Sequence, residues 1–250
     1  MRAAEAVAQQ CRHLIERAGT ACVAAKLQLA CFERLGAAGW EALESVAAAV
    51  RQAGLLVIAD GKRGDVPVSA AAYAQALFGV TPSPWGEIPG LAADAATANP
   101  LLGGDALDPL VDAAAATGAG VFSLVRTSNP GAADLFDAPA PQRPLYERIA
   151  SLVADRSSRL AGASGLSGMG AVAGATEPRH LSRLRELMPD AIFLIPGVGA
   201  QGGRAADLGP ALGSHPASIL VTASRSIADA PDPAGAAAGL RDELWTLRGA

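Results

Sequence analysis

The sequence contains very little lysine. Of its 20 positively charged residues, two are lysine, Lys26 and Lys62, and the other 18 are arginine. An ammonium group can be tuned to release a proton, whereas a guanidinium group stays charged. Because arginine supplies the positive charge everywhere else, we interpret the two lysines as candidates for proton transfer. The alternative is that both were retained by chance on the surface.

Cysteine, long apolar runs and an excess of positive charge are also missing. The three cysteines, Cys11, Cys22 and Cys31, are odd in number and lack CxxC spacing, which argues against a disulfide framework or a zinc site. No apolar run reaches the roughly 18 residues of a membrane span, and the charged N-terminus is unlike a signal peptide. The net charge of −4 argues against nucleic acid or anionic membrane as a partner. We therefore expect a soluble, cytoplasmic protein.

The sequence does have a regular alternation of two apolar patterns. Amphipathic helical periodicity alternates with short, nearly continuous apolar runs, which is typical of parallel strands covered by helices on both faces. We expect one domain over residues 1–250. The predicted strands lie near residues 20–25, 55–59, 92–97, 120–125, 170–175, 191–195 and 218–222. The predicted helices lie near residues 3–18, 36–53, 68–78, 104–117, 144–158, 177–188, 203–212 and 232–247.

These seven strands and eight helices predict a barrel. In a (β/α)₈ TIM barrel each strand precedes its helix, so a chain that opens on a helix corresponds to a barrel with its first strand missing. Polar residues follow nearly every predicted strand, all around the circuit. Active sites of such barrels lie at the carboxyl ends of the strands, whereas an open doubly wound sheet has one switch point. The sequence therefore predicts an α/β fold of the TIM-barrel type.

The segment VIADGKRGDV ends one of these strands in a cluster of charge. Asp60 and Lys62 are two residues apart, so in a strand their side chains point to the same side, into the barrel mouth. We attribute the turn that follows to Gly61 and Gly64. A carboxylate beside an ammonium holds it charged, and a charged lysine can deliver a proton to a developing carbanion. A structural ion pair is the alternative, but Lys26 at the end of another strand favours a catalytic array.

A second candidate site is the glycine-rich segment IPGVGAQGGR. It follows an apolar strand and precedes a predicted helix, so the backbone amides of Gly202 and Gly203 would suit a phosphate group. Arg225, after the next strand, is placed where a guanidinium would complete the phosphate site. A surface ion pair of Arg225 is the alternative. The long Pro/Gly-rich loop over residues 129–143 is predicted to be a lid or a specificity loop.

Several motifs together resemble one enzyme family. Over residues 20–230 the chain carries, in order, AAKLQLACFERLGAAGW, IADGKRGDV, NPLLGGDAL, VRTSNPGAADL, AGATEP, LIPGVGAQGG and ASRSI. This set resembles orotidine 5′-phosphate decarboxylase, in its bacterial AKRGD-type branch (type 2). The resemblance implies a TIM barrel that converts orotidine 5′-monophosphate to uridine 5′-monophosphate and CO₂ in pyrimidine biosynthesis, with neither a cofactor nor a metal.

The resemblance assigns the chemistry to the charged array. Lys62 would protonate C6 as CO₂ leaves, Asp60 would face the substrate carboxylate, and Lys26 would hydrogen-bond within the array near the ribose. Asp65 would reach into the site of a neighbouring subunit, and Ser69 would lie beside that contact. A homodimer with shared active sites is therefore implied.

The resemblance also implies a set of substrate-binding residues after other strands. Ser128 would contact the pyrimidine, and Asn129 beside it would belong to the same binding surface. Gln201 would bridge the phosphate and the base. The phosphate would be held by Gly202, Gly203 and Arg225.

The chain departs from the family at its start. Family members begin with a strand that ends in a Gly-Ile-Asp-Pro-like segment whose aspartate binds ribose, and no such stretch precedes the first predicted helix. We therefore expect a start codon upstream of Met1 and, if the chain begins at Met1, low stability and little activity. Two other hypotheses remain open. One is a metal-dependent sugar-phosphate decarboxylase or aldolase of the same superfamily, and the other is a non-catalytic phosphate-binding homologue.

Overall fold

The computed structural model describes residues 1–138, 143–213, 215 and 217–247. The strands in these residues are β1 (Ala24–Gln28), β2 (Leu56–Arg63), β3 (Val80–Ser83), β4 (Gly86–Pro89), β5 (Ala95–Ala98), β6 (Gly120–Arg126), β7 (Ser167–Ala173), β8 (Ala191–Ile195) and β9 (Ile219–Val221). The helices are α1 (Arg2–Ala18), α2 (Leu29–Glu33), α3 (Ala37–Gln52), α4 (Pro67–Leu77), α5 (Gly104–Thr117), α6 (Ala132–Leu135), α7 (Leu145–Ala154), α8 (Pro178–Leu187), α9 (Gly209–Leu212), α10 (Arg225–Ala228) and α11 (Pro233–Thr246).

Seven of these strands form one parallel sheet in the order β1-β2-β5-β6-β7-β8-β9. Each strand of the sheet lies beside the strands that precede and follow it along the chain, as in a barrel wound in one direction. In the part of the chain described, β1 pairs with β2 alone and β9 with β8 alone. The predicted α/β class and the seven strands are confirmed, and the expectation of a further strand encoded upstream stays a prediction.

Apolar side chains pack on both faces of this sheet. A large cluster lies between the outer face and the helices. Because side chains alternate along a strand, Asp60 lies on the same face as Ile58, and Thr97 on the same face as Ala95. These two polar residues therefore point into the interior at the carboxyl ends of β2 and β5. The smaller inner cluster consists of Ile58, Ala95, Phe122, Leu124, Val172 and Leu194.

The single helix predicted near residues 203–212 is divided into two short helical elements in the structure. The structure has a 3₁₀ turn at Ala205–Leu208, followed by the separate one-turn helix α9. Pro210 lies in the first turn of α9, where proline is favoured because it has no amide hydrogen to donate, so a new helical turn begins there. The other predicted helices overlap α1, α3, α4, α5, α7, α8 and α11. Among the described residues, no helix is long and apolar enough to cross a bilayer.

Candidate active site

Two lysines and one aspartate form a charged array at the carboxyl ends of β1 and β2. The ammonium of Lys26 donates to Oδ2 of Asp60, and the ammonium of Lys62 donates to Oδ1 at 2.6 Å. The side chain of Asp60 is 6% exposed, and those of Lys26 and Lys62 are 24% and 41% exposed. The structure thus brings together the three residues that the sequence predicts for proton chemistry.

The backbone that carries Lys62 is not regular strand. The pairing of β2 with β5 shifts register between Ala59 and Arg63, and Lys62 has a φ of +50°. A non-glycine residue in this left-handed region costs roughly 1 to 3 kcal/mol, and such residues concentrate at functional sites. The N–H of Lys62 is held by a hydrogen bond to Oγ1 of Thr97 (2.9 Å). The array therefore depends on a strained residue, as well as on the two-residue spacing.

Gly61 and Gly64, to which we attribute the turn after Asp60, do not have a positive φ. Both glycines provide room. A Cβ on Gly61 would lie 2.6 Å from Cδ1 of Leu29, and a Cβ on Gly64 would lie 2.4 Å from the carbonyl oxygen of Asn99. Each glycine therefore allows a close approach between the end of β2 and a neighbouring segment.

Thr97 belongs to the array and is missing from the predicted site residues. Its hydroxyl donates to Oδ1 of Asp60 (2.8 Å), while its Oγ1 accepts from the N–H of Lys62. Thr97 is 2% exposed. Its sequence signal is weak, since it is a single hydroxyl in the otherwise alanine strand AATA. Three side chains therefore donate hydrogen bonds to the carboxylate of Asp60.

The array keeps Asp60 ionised. Burial alone would raise the pKa of Asp60, but the opposing attraction and hydrogen bonds of Lys26 and Lys62 lower it below its usual value. Two ammonium groups against one carboxylate leave one net positive charge at the mouth of the sheet. This net positive charge can attract a carboxylate group of a bound molecule into the site, although Asp60 repels that carboxylate.

Ser128 and Gln201 come from distant parts of the chain and meet at the mouth of the sheet. The hydroxyl of Ser128 donates to Oε1 of Gln201 at 2.9 Å. Beside Ser128, the Oδ1 of Asn129 accepts from the hydroxyl of Thr127 (2.6 Å). The loop after β6 and the glycine-rich loop after β8 are therefore joined side chain to side chain.

Asp65 and Ser69 lie apart from the array, where α4 begins. The carboxylate of Asp65 accepts a hydrogen bond from the N–H of Val66 (2.7 Å), next to Pro67 at the first turn of α4. Ser69 is half-buried in that same turn. The structure therefore does not bring either residue to the lysines of its own chain.

The glycine-rich loop is folded onto itself. The amide of Gly202 donates to the carbonyl of Gly199 (2.8 Å), and the amide of Gly203 donates to the carbonyl of Gly197 (2.9 Å). A Cβ on Gly203 would lie 2.6 Å from that same Gly197 oxygen. The expected helix N-terminus is absent here, since the next element is the 3₁₀ turn from Ala205. Both glycines therefore shape the loop, and their amides are engaged within it.

Arg225 begins α10 and is exposed. No acidic side chain in the described part of the chain forms an ion pair with it, so the alternative of a surface ion pair is not supported. A cavity of about 410 Å³ borders this region, lined by Gly199, Gly203 and Ser226 among others. Arg225 itself does not line this cavity, although its neighbour Ser226 does, and its side chain is exposed to solvent.

Metal-binding side chains are dispersed. Among residues 1–138, 143–213, 215 and 217–247, no group of three or more His, Cys, Asp or Glu side chains could hold a metal ion. The three cysteines are free.

The lid prediction for residues 129–143 falls partly on residues 139–142, which lie outside the described residues.

Known proteins are similar to this chain in both sequence and fold. The sequence model of the orotidine 5′-phosphate decarboxylase / HUMPS family matches residues 6–240. The orotidine 5′-phosphate decarboxylase of Rhodopirellula baltica is 41% identical over 227 residues, covering 90% of this chain and 73% of that protein. That of Deinococcus radiodurans is 44% identical over 234 residues, covering 90% and 79%. The structure of Leishmania donovani OMP decarboxylase matches with a TM-score of 0.79 at 36% identity, covering 99% of this chain and 90% of that one.

Proposed function

Because the chain belongs to the orotidine 5′-phosphate decarboxylase / HUMPS family, we propose that it converts orotidine 5′-monophosphate to uridine 5′-monophosphate and CO₂, a step of pyrimidine biosynthesis. The observation that carries this proposal is the array in which Asp60 lies between Lys26 and Lys62. The reaction needs a proton donor beside a developing carbanion, and Lys62 is such a donor. The free cysteines support a cytoplasmic location, where thiols stay reduced.

In the proposed reaction the substrate carboxylate faces the ionised carboxylate of Asp60, and the two repel one another. Cleavage of the bond between C6 and the carboxyl carbon releases CO₂ and leaves the bonding electron pair on C6. Nζ of Lys62 then donates a proton to C6. The neutral amine regains a proton from solvent, since the side chain of Lys62 is 41% exposed. The fixed ammonium groups stabilise the developing negative charge without reorganising during the reaction.

Groups away from C6 supply binding energy for this step. Ser128 and Asn129 would contact the pyrimidine, and Gln201 would bridge the base and the phosphate. The hydrogen bond between Ser128 and Gln201 supports this assignment, because it joins the two loops that would enclose the nucleotide. Binding of a remote phosphate can stabilise the transition state as well as the bound substrate. We assign the phosphate to Arg225 and to the loop shaped by Gly202 and Gly203.

We further propose a homodimer with shared active sites, each catalytic domain spanning residues 1–250. Among the described residues, Asp65 forms no ion pair with the lysines of its own chain. We therefore place its carboxylate at the ribose in the partner's site. Next to it Val66 and Val68 are 54% and 86% exposed. Burial of these apolar side chains against a second copy would remove them from water, and Ser69 lies on the same turn.

Mixing two inactive variants tests the shared site. Lys62→Ala and Asp65→Ala are each expected to be inactive, because each site takes Lys62 from one chain and Asp65 from the other. A heterodimer then contains one intact site, so an equal mixture after subunit exchange should recover about a quarter of the unmodified activity. Steady-state turnover of the mixture measures this. Recovery of none, although heterodimers are detected, would contradict the shared site.

Removal of the Thr97 hydroxyl tests the packing of the array. Thr97→Val keeps the shape of the side chain but loses both hydrogen bonds, to Asp60 and from the N–H of Lys62. We expect kcat to fall about tenfold, because the strained backbone of Lys62 loses its partner, while the Kd for uridine 5′-monophosphate changes little. Thr117→Val is the matched control, since the Thr117 hydroxyl bonds only to helix carbonyls. Equal kinetics for the two variants would contradict the role of Thr97.

The alternative of a metal-dependent sugar-phosphate decarboxylase or aldolase is not favoured, because the relatives described above are named orotidine 5′-phosphate decarboxylase. A chelator distinguishes the two. Turnover of orotidine 5′-monophosphate that persists in excess EDTA would support the proposal. Turnover of a sugar phosphate that requires added Mg²⁺, with none of the nucleotide, would favour the alternative. Nucleotide binding without turnover would indicate a non-catalytic homologue.

A further inference from the structure

A buried ion pair closes the base of the loop that carries Ser128. Arg126, the last residue of β6, is 5% exposed. Its guanidinium donates two hydrogen bonds to Asp137, from Nε to Oδ1 and from Nη2 to Oδ2, both at 2.9 Å. Bidentate pairs of this kind fix orientation as well as distance. The pair therefore joins the two ends of the segment over residues 127–136.

The far end of this segment is also packed. Ala132 and Phe136 are buried, and the carbonyl of Phe136 accepts a hydrogen bond from the N–H of Tyr146 (3.0 Å). At the near end, the carbonyl of Arg126 accepts from the N–H of Gly174 (2.9 Å). Both ends of the segment are held by these backbone contacts. Loss of the ion pair would therefore displace the residues between the two ends, and Ser128 is one of them.

Ser128 occupies a space with little tolerance. A Cβ on Gly174 would lie 2.7 Å from Cα of Ser128, and a Cβ on Gly197 would lie 3.1 Å from its Cβ. The hydroxyl of Thr176 donates to the carbonyl of Ser128 (3.2 Å). Only glycine at these two positions lets three loops meet at the serine. A shift of a few tenths of an ångström in the loop therefore changes the contact of Ser128 with Gln201.

Among the described residues, Asp137 is the one acidic side chain that forms an ion pair with Arg126. The ring of His180 lies beside this pair: its Nε2 is buried, is 4.0 Å from Oδ2 of Asp137 and has no hydrogen-bond partner among the described residues. Burial and the nearby guanidinium of Arg126 lower the pKa of His180, so the ring favours its neutral form. Without Asp137, the buried guanidinium loses its paired charge, which is strongly unfavourable.

We propose that the Arg126–Asp137 ion pair positions Ser128 for recognition of the pyrimidine, with Asp137 acting through Ser128 rather than touching the substrate. The proposal rests on the proposed function, since it assigns a positioning residue to the same site. It predicts that the effect of losing Asp137 is transmitted through the serine hydroxyl. A pair that served stability alone would act independently of that hydroxyl.

A double-mutant cycle separates these two roles. Asp137→Asn, Ser128→Ala and the combined variant are compared with the unmodified chain for KM, kcat and the Kd of uridine 5′-monophosphate. We expect each single substitution to raise KM and Kd about tenfold and the combined variant to match Ser128→Ala within about twofold. Additive increases in the combined variant, or no increase for Asp137→Asn, would overturn the proposal.

A control variant tests whether breaking any bidentate ion pair raises KM, and a second variant replaces Asp137→Asn if that protein does not fold. Asp108→Asn makes the same change in a bidentate pair, with Arg156, that joins α5 to the residues after α7, and should leave KM unchanged. An equal rise in KM for Asp108→Asn would overturn the proposal. Should Asp137→Asn not fold, Arg126→Lys, which keeps the charge but loses the fork, enters the same cycle with the same expected outcome. If the proposed function is wrong, the unmodified chain will neither decarboxylate orotidine 5′-monophosphate nor bind uridine 5′-monophosphate. That result would also overturn the positioning role of Asp137.

Discussion

Replacement of Lys62 by alanine is expected to lower kcat for orotidine 5′-monophosphate by about 10⁴-fold or more. The substitution removes the proton donor for C6 and one of the two ammonium groups that stabilise the carbanion. The carboxylate of Asp60 keeps its contacts with Lys26 and Thr97. The Kd for uridine 5′-monophosphate, measured by calorimetry, should change only a few-fold, since the nucleotide is bound mainly through groups away from C6.

Lys62→Arg is the informative companion to this variant. Arginine keeps the positive charge beside Asp60 but stays protonated, so it cannot complete the proton transfer. We expect Lys62→Arg to be nearly as inactive as Lys62→Ala. Substantial turnover by the arginine variant would show that charge alone is sufficient and would contradict the role of Lys62 as the proton donor.

Replacement of Arg185 by methionine is expected to lower the free energy of unfolding by about 3 to 5 kcal/mol. Arg185 lies on α8, is 8% exposed, and its guanidinium packs 3.8 Å from the ring centroid of Phe193. Burial lowers the pKa of Arg185 to about 10, so the guanidinium stays charged at neutral pH. Methionine fills similar space but leaves the carbonyls around it without a donor. Those carbonyls belong to Met188, Pro189, Ala191, Ala211 and Ser218.

Arg179→Met is the matched control for Arg185→Met. Arg179 lies on the same helix, but its side chain is 73% exposed and pairs with the exposed carboxylate of Glu177. Exposed pairs contribute little because solvent screens them, so the urea midpoint of this variant should move little. Equal midpoints for the two variants would contradict the structural role of Arg185.

The charged array and the strands could be predicted because their signals are local in the sequence. Apolar runs of four to eight residues between amphipathic helices indicate parallel strands. Asp60 and Lys62 follow such a run directly, and a strand gives them a common side. Because the chain has only two lysines, Lys26 could also be predicted to belong to the array. These inferences need no knowledge of which strands are neighbours. The structure brings Lys26, Asp60 and Lys62 together, although the left-handed φ of Lys62 departs from the regular strand that the inference assumes.

Features that depend on contacts between distant segments could not be predicted in the same way. Thr97 joins the array only because β5 lies beside β2. The left-handed φ of Lys62 has no signal in the sequence, since glycine is the usual residue in such conformations. Likewise, nothing in the local sequence pairs Arg126 with Asp137. The division of the helix predicted near residues 203–212 was not predicted, because hydrophobic periodicity does not register the change from a 3₁₀ turn to an α-helix at Gly209.

Turnover of orotidine 5′-monophosphate in D₂O tests whether Lys62 delivers the proton to C6. The ammonium of Lys62 exchanges its protons with solvent, so a deuteron should be delivered to C6. We predict one CO₂ for each uridine 5′-monophosphate formed, with deuterium at C6 detected by loss of the C6 proton signal in the NMR spectrum, and turnover by Lys62→Ala that is slower by about 10⁴-fold or more. Nucleotide that is bound but recovered unchanged by the unmodified chain, or turnover by Lys62→Ala at a comparable rate, would contradict proton transfer from Lys62.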